Sequence, residues 1–340
     1  MQPTPRRSPR PPLRKALMRI AVVSTPRAGN TWVRHLLGTA YRLPHLPRHS
    51  MTDADWAALP PGVVLQLHWR RTPEFAAKLD EHGFRVVTVA RHPLDVLVSI
   101  LHFCVHESES ENWLLGAGGS EADIFGAMPR SRTFVEYARG PRAAELLAVT
   151  PDWWGRLGII GVRYEDLVAD TAGELRRLEE TLGPVRCGSL AEAVAACELG
   201  RLRQRSTNSH FWQGRPGLWR HLLPAAEAAE IAAALPDLGY SIDPDPALDP
   251  LTADRNWVRL VGEETKQALR RATEGHRAQV REKDDRIAEL EAHEAELEGR
   301  LRRSVTLSGP VARAVKRAWN RWPWIRRLVG RHETRDTRHE

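Results

Sequence analysis

The fold is decided by the segment from Ile20 to Trp32, which reads Ile-Ala-Val-Val-Ser-Thr-Pro-Arg-Ala-Gly-Asn-Thr-Trp. Its first four residues are a short apolar run of the kind that forms a buried strand. A turn containing Pro26 and Gly29 follows, and apolar residues at helical spacing then run from Trp32 to Leu37. The segment therefore predicts a strand, a loop and a helix in that order.

The same pattern recurs along the chain, in mostly apolar runs at 63–67, 86–89 and 159–162. Short apolar strands that alternate with helices are typical of a parallel sheet covered on both faces. We therefore predict an α/β fold with a central parallel sheet flanked by helices. Binding sites in such folds lie at the carboxyl ends of the strands.

Composition narrows the class of protein. The chain has 340 residues, of which 42% are hydrophobic, enough to bury a sizeable core and too many for a wholly disordered chain. No run of eighteen apolar residues occurs, so we expect neither a membrane span nor a secreted protein. The three cysteines form no Cys-x-x-Cys pair and no metal-ligand spacing. We expect reduced thiols, a cytoplasmic location and no metal site.

The net charge of +7 is concentrated near the two ends of the chain. Residues 1–19 include six basic and no acidic residues, and residues 300–332 include ten basic and no acidic residues. A nucleic-acid binder is expected to carry positive charge on its folded domain. We therefore expect no nucleic-acid partner, and the basic ends are instead suited to an anionic surface.

Four segments follow from this distribution. We predict a disordered basic tail at 1–18, a folded domain at 19–245, a charged helix at 251–303 and a basic amphipathic tail at 304–340. The third segment has a heptad pattern, but only six of its eleven seam positions are apolar, namely Leu269, Val280, Ile287, Leu290, Leu297 and Leu301. Both a homodimeric coiled coil and a single solvated helix therefore remain open.

The last segment has the pattern of a helix that lies in a membrane interface. Apolar residues recur there at helical spacing among arginines and lysines: Val311, Val315, Trp319 and Trp322. Such a helix binds anionic lipid through its basic face and buries its apolar face. We therefore expect peripheral contact with the inner face of a membrane.

The loop after the first strand is suited to an anion. Its small residues present backbone N–H groups at a helix N-terminus, where the helix dipole favours negative charge. It differs from a Walker loop, because Asn30 and Thr31 follow Gly29 where Lys and Ser or Thr are required. Arg27 supplies the charge, since a guanidinium holds an anion bidentately without a metal.

A second anion site is predicted where the third predicted strand ends. Arg91 stands at the strand end, Pro93 suits the first position of a helix and Asp95 suits its first turn. Ser99 follows Asp95 by one helical turn, so Arg91 and Ser99 are predicted to hold an anion together. Two anion sites on neighbouring strand ends fit a nucleotide with phosphates at both ends.

These two segments resemble those of the sulfotransferases that use 3′-phosphoadenosine 5′-phosphosulfate (PAPS). The family's phosphosulfate loop reads Tyr-Pro-Lys-Ser-Gly-Thr-Thr-Trp, and its 3′-phosphate segment reads Arg-Asn-Pro-x-Asp-x-x-x-Ser followed by an aromatic residue, here Phe103. Residues 164–167 are similar to its Tyr-Glu-Asp-[Leu/Met], and residues 211–220 to its Phe-Arg-Lys-Gly-x-x-Gly-Asp-Trp-Lys. The four blocks occur in the family's order and cover about 19–240.

The resemblance implies a sulfotransferase fold related to the P-loop NTPases, PAPS as co-substrate without a metal, and transfer of a sulfuryl group to an acceptor hydroxyl. It assigns His68 as the catalytic base and Arg27 to the charge that develops on the departing phosphate. His45 and His49 are the other candidates for the base. The residues it assigns to the co-substrate are Arg27, Ala28, Gly29, Asn30, Thr31, Trp32, Arg91, Ser99, Tyr164, Gly214 and Arg215.

The chain departs from the family's pattern at three places. Arg27 stands where better-known cytosolic members have Lys, and Gln66 replaces the Lys two residues before His68. Trp212 and Gln213 replace the Arg-Lys pair that contacts the 3′-phosphate. We expect Arg215 to substitute for that pair, or else the cluster of Arg201, Arg203 and Arg205.

The sequence leaves the acceptor open, because the pocket that would bind it is built from 41–60 and 104–150. The basic tails favour a saccharide or glycolipid acceptor. Two other functions remain open: a nucleotide-dependent kinase on a related fold, and a non-catalytic nucleotide-binding scaffold whose coil recruits a partner.

Overall fold

A computed structural model of the chain describes residues 18–49, 51–52, 54–106, 121–205 and 211–305, together with 309, 313–314, 317 and 321. Two of the sequence predictions therefore lie almost wholly outside the described residues. These are the disordered tail at 1–18 and the amphipathic tail at 304–340.

Five parallel strands form the central sheet, in the spatial order β2-β3-β1-β4-β5. The strands are β1 (Arg19–Val23), β2 (His45–Pro47), β3 (Val63–Leu67), β4 (Phe84–Ala90) and β5 (Ile160–Arg163). Val63–Leu67 and most of the other predicted strands agree closely with these bounds. The predicted α/β fold with a parallel sheet is confirmed.

Twelve α-helices are found among the described residues. They are α1 (Asn30–Tyr41), α2 (Pro73–Glu81), α3 (Pro93–His106), α4 (Arg132–Arg139), α5 (Pro141–Leu147), α6 (Val149–Trp153), α7 (Tyr164–Ala169), α8 (Thr171–Leu182), α9 (Leu190–Ala196), α10 (Leu199–Arg205), α11 (Ala225–Ala232) and α12 (Pro250–Val305). Short 3-10 helices lie at Glu121–Ile124 and Leu218–His221.

The core lies on both sides of the sheet. Every residue of β3 is buried, and β1 is buried from Ile20 to Val23. Aromatic side chains fill the space between the sheet and the helices, and Phe75 and Trp153 meet edge to face with ring centroids 5.6 Å apart. Burial on both faces explains why the strand sequences are continuously apolar instead of alternating.

The described chain divides into two compact units, one that ends at Gly262 and one that begins at Glu263. The first unit therefore extends past the domain end expected at 245 and includes the first turns of α12, where Ala253 and Trp257 are buried. In the second unit Ile287, Leu290 and Leu297 are about half exposed. Within the described residues, no helix combines the length and the apolar character that crossing a membrane requires.

His92 caps α3 and so fixes the direction in which this helix leaves the sheet. Its Nδ1 accepts a hydrogen bond from Leu94 N at 3.3 Å, and its Nε2 donates to Ser241 O at 3.1 Å. The ring also stacks on Trp219, with centroids 5.0 Å apart. Burial is the main cause that lowers the pKa of His92 from its ordinary value of 6.5.

We expect the stability of the fold to fall as the pH drops below about 6.5, because the unfolded chain then binds a proton that His92 in the folded chain resists. Asn at position 92 keeps a capping acceptor but does not titrate, so His92→Asn should lose stability less steeply in acid than the wild type. Urea unfolding midpoints at about pH 8 and about pH 5.5 measure this difference.

The matched control is His221→Asn, since the side chain of His221 is exposed. This control should keep the acid dependence of the wild type. If the stability of His92→Asn falls in acid as steeply as that of the wild type, the attribution of this pH dependence to His92 is contradicted.

Candidate active site

The predicted site residues meet in one cleft at the carboxyl ends of β1, β3 and β4. The cleft has a volume of about 890 Å³, including the space at its open mouth. All of the residues assigned from the sequence line it except Ala28 and Arg215. The cleft therefore joins the two predicted anion sites at one edge of the sheet.

The loop after β1 presents the N-terminus of α1 to the cleft. Gly29 caps this helix with φ of 110°, and no side chain makes a capping hydrogen bond there. A Cβ atom on Gly29 would lie 2.5 Å from Cδ2 of Tyr164, so both the conformation and the packing require glycine. A helix N-terminus without a side-chain cap keeps backbone N–H groups available for an anion.

Arg27 adopts a left-handed backbone conformation with φ of 66°, which is uncommon outside glycine. Its Nε donates to Oγ of Ser99 at 3.1 Å, and its guanidinium lies over the ring of Phe103, 4.6 Å from the centroid. The residues predicted for two separate anion sites, Arg27 and Ser99, are thus in direct contact. The two sites are parts of one continuous surface.

Arg91 lies behind this loop and is only 7% exposed. Its Nη1 donates to the backbone oxygen of Arg27 at 3.1 Å, and its guanidinium lies 4.6 Å from the ring centroid of Tyr164. Its Nε is buried and has no hydrogen-bond partner among the described residues. A buried guanidinium N–H without a partner on the wall of a cleft is suited to an anionic ligand.

The aromatic residues Trp32 and Tyr164 form one wall of the cleft. Their rings meet edge to face with centroids 6.0 Å apart, and Nε1 of Trp32 donates to Cys197 O at 2.9 Å. The Tyr164 hydroxyl donates to Gly214 O at 2.9 Å. Burial raises the pKa of Tyr164, so this hydroxyl stays protonated and keeps the bond that joins α7 to the segment after α10.

His68 lies where β3 ends and is 5% exposed. Its Nδ1 is 2.9 Å from Ser24 O, and its Nε2 is 3.2 Å from the amide nitrogen of Gln66. Asn30 lies beside it and donates from Nδ2 to Thr25 O at 2.8 Å. The imidazole is therefore held against the loop after β1.

Asp95 fastens the C-terminal block 211–223 to α3. Its carboxylate accepts hydrogen bonds from Gly217 N at 2.6 Å and Trp219 N at 3.0 Å, and it is 1% exposed. Asp95 lies in the first turn of α3, where the sequence predicts it, and its carboxylate bonds the backbone of this block. Through them, Trp212 and Gly214 are held along the edge of the cleft.

The arginines proposed to replace the family's Arg-Lys pair lie elsewhere in the structure. Arg215 is exposed, and its Nη2 is 3.2 Å from Nε2 of His221. Arg203 donates to the backbone oxygens of Phe211 and Trp212 and so supports the block from behind. Arg201 pairs with Glu198 at 3.6 Å and is more than half exposed.

Of the other two histidines considered for the base, His49 lines the cleft, with its ring 6.5 Å from that of His68. His45 belongs to β2 and lies outside the lining, with its Nδ1 2.8 Å from Nη1 of Arg34. Burial, and then the charge of Arg34, lower the pKa of His45, so it is neutral and accepts this hydrogen bond at neutral pH.

The lining is electropositive. Among the described residues that line the cleft, two are arginines, two are histidines and none is Asp or Glu. The charges of Arg27 and Arg91 lie in a partly buried site, where water screens them less than at an open surface. The cleft is therefore built to attract a ligand with more than one negative charge.

Sequence reasoning missed two contributors to the site. Arg34 is 8% exposed, and its Nε donates to Oε1 of Gln66 at 3.0 Å. Its position on the apolar face of α1, one turn after Asn30, was the available signal. Leu199 also lines the cleft, and nothing in the local sequence distinguishes it from an ordinary core residue.

No protein-family model and no curated protein matches the chain. Solved structures similar to it include mouse sulfotransferase SULT7A1 complexed with PAP, with a TM-score of 0.48, 13% identity, and coverage of 64% of this chain and 82% of that one. Retinol dehydratase in complex with androsterone and inactive cofactor PAP has a TM-score of 0.43, 15% identity and coverage of 64% and 80%. Retinol dehydratase in a complex with retinol and PAP has a TM-score of 0.41, 17% identity and coverage of 66% and 84%.

Proposed function

We propose that this chain is a sulfotransferase that moves a sulfuryl group from PAPS to a hydroxyl of an acceptor. The observation that carries the proposal is the meeting of Arg27, Arg91, Ser99 and His68 in one cleft, whose described lining includes no Asp or Glu. The four sequence blocks that resemble the PAPS-dependent enzymes contribute to this cleft or anchor it.

PAPS supplies a sulfuryl group that is activated by its bond to a phosphate leaving group. We assign the 5′-phosphosulfate to Arg27, Asn30, Thr31 and the backbone N–H groups at the start of α1. The 3′-phosphate is assigned to Arg91 and Ser99, and the adenine ring to the wall of Trp32 and Tyr164. The buried Nε of Arg91, which has no partner among the described residues, supports this fit.

His68 acts as the general base in this proposal. Its Nδ1 lies within hydrogen-bond distance of Ser24 O, which holds the ring in place, and the ring edge with Nε2 takes the proton of the acceptor hydroxyl. Arg27 offsets the negative charge that accumulates on the leaving phosphate. A saccharide or glycolipid is the proposed acceptor class, on the basis of the basic tails.

We expect 3′,5′-adenosine bisphosphate to bind more tightly than ADP or ATP, because the cleft offers cationic groups to both phosphate ends. Arg91→Ala should raise the dissociation constant of the bisphosphate roughly 10- to 100-fold, since a hydrogen bond to a charged group contributes about 1.5–3 kcal/mol. The dissociation constant of Arg91→Lys should lie between those of the wild type and Arg91→Ala, because Lys keeps the positive charge but lacks the bidentate guanidinium. Isothermal titration calorimetry measures all of these affinities.

The control is Arg132→Ala, because Arg132 is 89% exposed on α4, where it pairs with Glu136 one helix turn away. Its affinity for the bisphosphate should equal that of the wild type. Equal or tighter binding of ATP would favour the kinase alternative instead.

We expect His68→Ala to reduce sulfuryl transfer at least 100-fold, because general-base catalysis typically contributes 10²- to 10⁴-fold. Its affinity for the bisphosphate should be nearly unchanged. The assay supplies ³⁵S-labelled PAPS with a panel of saccharide, glycolipid and phenolic acceptors, and the exposed His221→Ala is the matched control. Wild-type binding of the bisphosphate without transfer to any acceptor would favour the scaffold alternative.

The second unit is proposed to form a coil with a second copy of the chain. Ile287, Leu290 and Leu297 lie on one heptad seam and are 53%, 56% and 50% exposed. Leu290→Asp should therefore convert a dimer to a monomer in light scattering. Ala292→Asp adds the same charge off the seam and should leave the dimer intact, and a monomeric wild type would refute the coil.

A further inference from the structure

A chain of hydrogen bonds connects α1 to the imidazole of His68. Nε of Arg34 donates to Oε1 of Gln66 at 3.0 Å, and the amide nitrogen of Gln66 lies 3.2 Å from Nε2 of His68. All three side chains are buried, with exposed fractions of 8%, 6% and 5%. Gln66 stands where the sulfotransferases have Lys, so this arrangement belongs to this chain's own sequence.

The chemistry of the donors fixes the direction of every bond in the chain. A guanidinium can only donate, so Arg34 requires the oxygen of the Gln66 amide and turns its NH₂ group toward His68. That NH₂ group can only donate, so Nε2 of His68 must carry a lone pair. At the other side of the ring, Ser24 O can only accept, so Nδ1 must carry the hydrogen.

Both ends of the ring therefore specify the same tautomer, neutral with the hydrogen on Nδ1. The amide nitrogen of Asn30 lies 3.2 Å from Nδ1 and carries a second hydrogen besides the one it donates to Thr25 O, but Ser24 O is nearer to Nδ1, at 2.9 Å, and requires a donor there. The basic atom of the proposed site is thus Nε2. In this structure the N–H of Gln66 covers that atom.

Protonation of Nε2 would place its new N–H against the amide N–H of Gln66. The amide cannot relieve this clash by turning over, because its oxygen is held by Arg34. The charged and titratable groups near the ring include His49, with its ring 6.5 Å away, Arg34 and His45 beyond Gln66, and Arg27 and Arg91 in the lining of the same cleft. Burial lowers the pKa of Arg34 to about 10, so Arg34 keeps its charge at neutral pH.

We propose that Gln66, oriented by Arg34, is a positioning residue that holds His68 in the Nδ1-protonated tautomer and covers its Nε2 until an acceptor hydroxyl displaces the amide. The proposal rests on the proposed function for the role of the acceptor, but the tautomer is a property of the chain without substrate. His68 is thereby kept as a neutral base. Its Nε2 lone pair accepts from the Gln66 amide in this structure and from the acceptor hydroxyl once the acceptor is bound.

The test is Gln66→Glu, in which a carboxylate replaces the amide with nearly the same shape. The carboxylate accepts from Arg34 and from His68, so it should move the ring hydrogen to Nε2. It should also move the titration midpoint of the ring to higher pH by about one unit or more. Imidazole ¹⁵N NMR of the full chain, with the His68 signals assigned by their loss in His68→Asn, reports both changes without substrate.

Gln204→Glu is the matched control, because Gln204 is exposed on α10. It should leave the tautomer and the titration of His68 as in the wild type. An unchanged His68 spectrum in Gln66→Glu, or a wild-type ring with its hydrogen on Nε2, would overturn the proposal.

Arg34→Met provides a second variant if Gln66→Glu does not fold. Without the guanidinium the Gln66 amide is free to turn, so signals of the second tautomer should appear. Once an acceptor is known, the acid limb of the kcat/KM profile should move to higher pH in Gln66→Glu. If Gln66→Glu changes the His68 spectrum but the wild type transfers sulfuryl to no acceptor, the proposed function alone is refuted. If the wild type transfers normally but the His68 spectrum of Gln66→Glu is unchanged, only the role of Gln66 is refuted.

Discussion

The cleft depends on the position of β1 between β3 and β4. Parallel pairing aligns Val23 with Leu67 and Val22 with Val87, so the three strands end at the same edge of the sheet. The loop after β1 is thereby placed between His68 on one side and Arg91 on the other. Arg91 then donates to the backbone oxygen of Arg27, which links the second strand end directly to the loop. A change of register would separate these groups, and no later segment of the chain could restore them.

The departure at Trp212 becomes understandable from its surroundings. Trp212 is buried, stacks on His102 with centroids 4.1 Å apart and meets Trp257 of α12 at 6.3 Å. A large aromatic side chain at this position thus packs the first turns of α12 against the block that edges the cleft. An Arg there would lose this packing, so the aromatic residue at 212 stabilises the contact between the 211–223 block and the first turns of α12 within the first unit.

The parts of the fold that were predicted are those that local sequence determines. The strands at 63–67 and 86–89 and the loop from Ser24 to Thr31 carry their patterns within a few residues. The short strand β2 was missed, because three residues that end in Pro47 have no strand pattern and pair only through β3. Arg215 shows the limit of spacing in the other direction. It belongs to the 211–223 block in sequence, but its side chain is exposed and lies against His221, outside the described lining of the cleft.

The contact between Arg34 and Gln66 was beyond sequence reasoning for a different reason. It joins a helix to a strand, and its meaning depends on which end of an amide faces which neighbour. Spacing along the chain contains no such information. Yet the same contact decides the proton position on His68, and therefore whether Nε2 is available as a base. A motif can thus single out a residue for a proposed role, while the protonation of that residue is set by partners that the motif leaves out.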